Sequence, residues 1–162
     1  MTVTIAAIPA TAEEFAAMPQ MDLTKPENTC AMFLCALQLY IKDRDAGVEA
    51  MNMLRGPRPM TPYDSQFLRD RLRDKPYLPL AYFEGAAPKN NYTPAQPYVL
   101  NVLPDPRPQD IEAGYIRVFL KTAGADSPRP VKLRQKGSLW YLWEYSSILS
   151  GIRSLAECDP WG

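Results

Sequence analysis

The chain has 162 residues, 46% of them hydrophobic and 22% charged, and its 18 basic and 18 acidic side chains cancel. This describes one globular domain with its own core, and the zero balance argues against strong non-specific nucleic-acid binding. Histidine is absent, which removes Ser-His-Asp and Cys-His nucleophile activation, zinc sets that use imidazole, and the usual general base near neutral pH.

The opening segment lacks the basic start of a secretory signal. Thr11 and Glu14 form a capping pair ahead of a short amphipathic helix that Pro19 ends. Pro26 and Glu27 suit the first turn of the next helix. Its body, residues 30–41, is apolar nearly all round, the mark of a helix buried between other elements. At about 12 residues it is short of the roughly 20 that span a bilayer, so a cytoplasmic location is expected. Cys30 and Cys35 stand five positions apart, about 140° around such a helix, so they read as core residues rather than a metal or redox pair. With Cys158 near the end they make an odd count, which fits a reducing compartment.

Residues 45–56 form a third helix with Val48, Met51 and Leu54 on one stripe and Gly56 as its stop. Thr61, Pro62 and Asp64 start a fourth, running to about residue 74 with an exposed face of alternating charge. Residues 77–97 are rich in proline and glycine and read as irregular chain with a short strand at 80–83. Residues 98–103 and 115–121 are strands, and residues 130–135 and 139–145 form a hairpin across Lys136-Gly137. Ser146 or Ser147 caps a last helix. The expected fold is therefore α+β: about four N-terminal helices on a three- to four-stranded antiparallel meander, then a C-terminal helix.

Charge is unevenly placed, since residues 1–50 carry seven acids against three bases. The asymmetry reads as solvated surface and is compatible with a charged partner. A two-residue turn at Lys136-Gly137 puts Val131, Leu133, Trp140 and Leu142 on the core side. It leaves Lys132, Arg134, Tyr141 and Trp143, with Arg117, Phe119 and Lys121, on the other. A basic surface interleaved with aromatics binds anionic rings or single strands by stacking and charge. Two plainer readings stand beside it: a bulged three-residue turn sends Tyr141 and Trp143 inward, or helices cover the face. The loop 124–130 is rigid and polar and presents Asp126, Ser127 and Arg129 to a ligand or partner, or simply positions two strands. Asp105, Asp110 and Glu112 lie close together in a spacing that matches no calcium loop. No phosphate-binding glycine motif and no Gly-x-Ser-x-Gly elbow occurs, so no catalytic residue, metal or cofactor is expected.

Residues 124–129 (Gly-Ala-Asp-Ser-Pro-Arg), 131–137, 140–145 and 151–153 together resemble the C-terminal signature of an uncharacterised bacterial domain family. The resemblance implies a stand-alone bacterial domain and carries no activity. The function expected from these residues is a non-enzymatic protein-interaction or assembly module, with a protein partner or a second copy of the chain. The alternatives are a small-molecule or anion-binding domain working from the basic-aromatic face, and single-stranded nucleic-acid binding.

Overall fold

Helix α2 (Pro26–Lys42) is the element around which the others are arranged in the computed structural model, which describes residues 1–155. Its residues from Cys30 to Leu37 have no exposed surface, as an all-round apolar helix requires. Helix α1 (Ala12–Ala16) precedes it; the Thr11 hydroxyl accepts from the Glu14 N–H at 3.0 Å, and the Glu14 carboxylate accepts from the Ala10 N–H at 2.7 Å. Helix α3 (Arg44–Arg55) follows α2 after Asp43 alone, whose side chain accepts from the Ala46 N–H at 3.3 Å. So tight a hairpin needs a residue without a side chain where the helices meet. A Cβ at Gly47 would lie 2.2 Å from the Tyr40 Cα. Helix α4 (Pro62–Leu72) starts with the expected cap, Thr61 and Asp64 exchanging hydrogen bonds.

The sheet has five antiparallel strands in sequence order: β1 (Thr2–Ile5), β2 (Tyr98–Pro104), β3 (Tyr115–Leu120), β4 (Arg129–Lys136) and β5 (Leu139–Glu144). Helix α2 contacts both edge strands, β1 and β5, so the sheet curls around it. Val118, Leu120, Val131, Leu133 and Leu142 point into the shared core.

Three expectations are corrected. The sheet gains a strand at the N-terminus, where Thr2 to Ile5 pair with Asn101 to Tyr98. The segment 80–83 is not a strand: Leu78–Tyr82 form a 3₁₀ turn, and only Phe83 bridges to Leu100. Pro79, early in that turn, holds φ in the helical range. The C-terminal helix reduces to a 3₁₀ turn at Ser146–Leu149: Ser150 is already extended (φ −122°, ψ 138°) and Gly151 follows at φ +68°. Ile148, Leu149 and Ile152 are nevertheless buried. Cys158 lies outside the described residues.

The α2–α3 contact makes a sharp prediction. In an open helix Gly47→Ala would stabilise by about 1 kcal/mol through propensity. Here the added methyl meets Tyr40 backbone, and overpacking of that kind costs roughly 1–3 kcal/mol or more. Gly47→Ala is expected to lower the urea midpoint, with a net loss of about 2 kcal/mol; an unchanged or raised midpoint would refute the close packing.

Candidate functional site

The β4–β5 turn decides which side chains meet. Gly137 and Ser138 form it, with Gly137 at φ +62° and Lys136 paired to Leu139. The expected turn was one residue earlier, because glycine is wanted here at the first turn position with positive φ rather than the second. Leu133 consequently faces Leu142 instead of Trp140. The slip is by two residues, so the side chains from Leu139 to Leu142 keep their side of the sheet. Lys132 pairs with Glu144 while Leu133 pairs with Leu142, which leaves Trp143 as the extra residue of a bulge. Bulges re-aim side chains, and this one sets Trp143 edge-on to Tyr115, with ring centroids 5.4 Å apart.

On that face cations and rings alternate. Lys132 and Arg134 lie 4.9 and 5.4 Å from the Tyr115 ring centroid. Arg134 and Arg58 lie 4.8 and 4.2 Å from that of Trp143. Contacts of this kind hold a guanidinium by its plane and leave its N–H edge available.

The expected basic face divides according to which cations have acids. The Arg117 fork reaches Asp105 twice, Nε to Oδ2 and Nη2 to Oδ1, both at 3.0 Å. The Asp105 side chain is 5% exposed, and the fork holds its carboxyl below the usual range. Lys132 donates to Glu112 at 2.8 Å, which lowers the Glu112 carboxyl and raises the ammonium. Two of the three clustered acids thus neutralise the β3 side. Arg134 and Lys136 are exposed, and their side chains make no hydrogen bond or ion pair among the described residues. The loop candidates sit elsewhere. Asp126 pairs with Arg153, Arg129 donates to the Gly151 carbonyl at 3.2 Å, and Ser127 is exposed. Arg129 opens β4 and Arg134 lies five residues along it, about 17 Å away.

Sequence reasoning missed the other wall, the loop from Arg55 to Met60. Gly56 ends α3 at φ +63°, and a Cβ there would sit 2.9 Å from the Tyr141 ring. The loop therefore rests directly on the ring. Arg55, whose side chain is 4% exposed, donates from Nε to the Arg58 carbonyl at 2.9 Å. It also donates from Nη1 to the Tyr145 hydroxyl at 2.8 Å and from Nη2 to Asp64 Oδ2 at 3.0 Å. So held, Arg58 lies along the edge of β5 and donates through Nη2 to the carbonyls of Leu142 (3.3 Å) and Trp143 (2.8 Å). Its Nε is buried and has no hydrogen-bond partner among the described residues. Burial and the charge of Arg55 push the Arg58 pKa down, though a guanidinium stays protonated. A signal for this wall was present: Arg-Gly-Pro-Arg-Pro at 55–59 is as proline-stiffened as the loop at 124–130 and carries two bases and no acid.

Between loop and hairpin lies a concavity of about 410 Å³, lined by Arg58, Arg134, Lys136, Tyr141 and Trp143 among others, and by no Asp or Glu among the described residues. Such an arrangement attracts anions and offers apolar surface to whatever carries them. The two described thiols lie in the core and not in the cleft; burial pushes that of Cys35 up to about 12 and that of Cys30 up as well.

Fold and site together define an α+β domain with a cationic, aromatic-lined cleft at one edge of its sheet. The chain belongs to the family described as a domain of unknown function (DUF6935), whose model matches residues 7–156. No curated protein and no solved structure matches it.

Asp64 supports the cleft through Arg55. Burial alone would raise its carboxyl, but hydrogen bonds from Thr61 and the charge of Arg55 hold it below the ordinary 3.8. A depressed carboxyl adds stability that is present above its ordinary pKa and is lost as pH falls through the folded value. Asp64→Asn is expected to cost about 2 kcal/mol at neutral pH. Chemical denaturation from pH 7 to below 3 should show the gap to the native protein closing in acid; a gap independent of pH would refute the coupling.

Proposed function

We propose that the protein is a non-catalytic binding module that takes a negatively charged partner protein in the cleft between the 55–60 loop and the β4–β5 hairpin. One observation carries this reading: Arg58, Arg134 and Lys136 converge on one concavity and no carboxylate lines it among the described residues. Elsewhere on the same face Arg117 and Lys132 have their acids. The absence of histidine and the high pKa of both core thiols support binding over catalysis. The free cysteines in the core support a reducing compartment such as the bacterial cytosol. No described helix is long and apolar enough to cross a membrane.

A second reading, a compact anionic metabolite, is favoured by the cleft volume, which falls in the roughly 300–1,000 Å³ typical of small-ligand pockets. A peptide and a metabolite would share the same cations.

The test is fluorescence anisotropy with a labelled oligoglutamate peptide. Binding is expected to weaken about tenfold in Arg134→Glu, a loss of roughly 1.4 kcal/mol. It should also weaken between about 0.05 and 0.5 M salt, as screening requires. Position 134 is exposed, and a denaturation midpoint close to that of the native chain checks that the variant is folded. Equal affinity of the two proteins would remove the cleft from consideration.

A further inference from the structure

The cleft does not end at Trp143. A second concavity of about 270 Å³ adjoins it, sharing Arg55, Arg58 and Trp143 as a common wall and completed by Tyr63, Phe67 and Ser146. The two halves differ in chemistry. The first is lined by cations without acids; the second includes Asp64 and Glu144 and presents aromatic surface. Tyr63 is 80% exposed, an unusual state for a large ring, and Phe67 stands one helical turn further along α4. The Thr61–Asp64 cap sets the start of that helix, so Tyr63 is carried on a regular element.

Resting on the reading of the first half as an anion site, we infer that the natural occupant is an extended peptide segment that carries carboxylates next to an aromatic or large apolar side chain. Carboxylates meet Arg58, Arg134 and Lys136, and the apolar side chain lies against Tyr63, Phe67 and Trp143. A nucleic-acid strand suits the groove less well, since its evenly charged backbone would carry phosphates past Glu144 and Asp64. A compact anion would leave the aromatic half unused. The segment does not add a strand to the sheet, because the edge of β5 is occupied. Arg58 takes the carbonyls of Leu142 and Trp143, Thr29 donates to the Trp140 carbonyl at 2.8 Å, and the Trp140 N–H donates to Leu23. Recognition is thus by side chains, with charge giving orientation and the ring giving specificity.

Two labelled peptides separate the possibilities in anisotropy titrations on the full chain: hexaglutamate, and tetraglutamate followed by Trp-Leu. The second is expected to bind about tenfold tighter, the effect of one well-placed aromatic anchor. Tyr63→Ala should abolish that advantage and leave hexaglutamate binding unchanged, whereas Arg134→Glu should weaken both. Equal binding of the two peptides, or an advantage that survives Tyr63→Ala, overturns the inference and leaves the anion site standing. So does Arg134-dependent binding of inorganic phosphate or oligothymidylate with neither peptide bound. Failure of every probe, with Arg134→Glu indistinguishable from the native protein, overturns the anion site itself and the inference with it.

Discussion

A buried guanidinium organises this molecule's most distinctive region. Removing a cation from water is costly unless its donors find acceptors, and Arg55 finds them on three separate elements. Its Nε holds the carbonyl of the loop that follows α3, one terminal nitrogen holds the Tyr145 hydroxyl just beyond β5, and the other holds the capping carboxylate of α4. A side chain so placed has one low-energy arrangement, and it forces loop, strand end and helix start into register. Arg58 lies over Trp143 as a consequence. The cleft is preorganised by a residue that contributes little of its own surface to it.

The distribution of acids, more than that of bases, gives the outer sheet face its character. Cations occur along all of it, but Asp105 and Glu112 neutralise only the side nearest β3. What remains is a local field around Arg58, Arg134 and Lys136 on a chain whose net charge is zero. Such a field steers and orients a partner without making the whole surface sticky. The neighbouring half of the groove carries two carboxylates beside its two arginines, so the positive field falls off within a short distance and acidic residues of a bound segment favour the first half.

Much of the architecture is legible locally. Helix α2 announces itself by Pro26 and the long apolar run behind it, and α3 and α4 by apolar spacing and caps, because those signals depend on contacts within a few residues. The sidedness of β4, and of β5 as far as the bulge at Trp143, was legible too, and it survived a misplaced turn because alternation has period two. Strand β1 was less so: Thr-Val-Thr-Ile has strand character, but four residues become a strand only when Tyr98 to Asn101 lie beside them. The last helix failed for the opposite reason. A local cap and an apolar pattern were present, yet the chain is extended from Ser150 and Gly151 turns it where Arg129 reaches back.

By itself, then, the amino-acid order determined the helical core, the antiparallel meander, the outward side of Arg134, Tyr141 and Trp143, and the lack of imidazole chemistry. These follow from propensity, alternation and composition. Only the tertiary structure decided which of the exposed cations would find an acid and which would face a cleft. That outcome depends on residues brought together from 55–64, 105–117 and 132–145, and pairing at such separations leaves no trace in local pattern. Burial of Arg55 is the physical reason the two walls meet where they do.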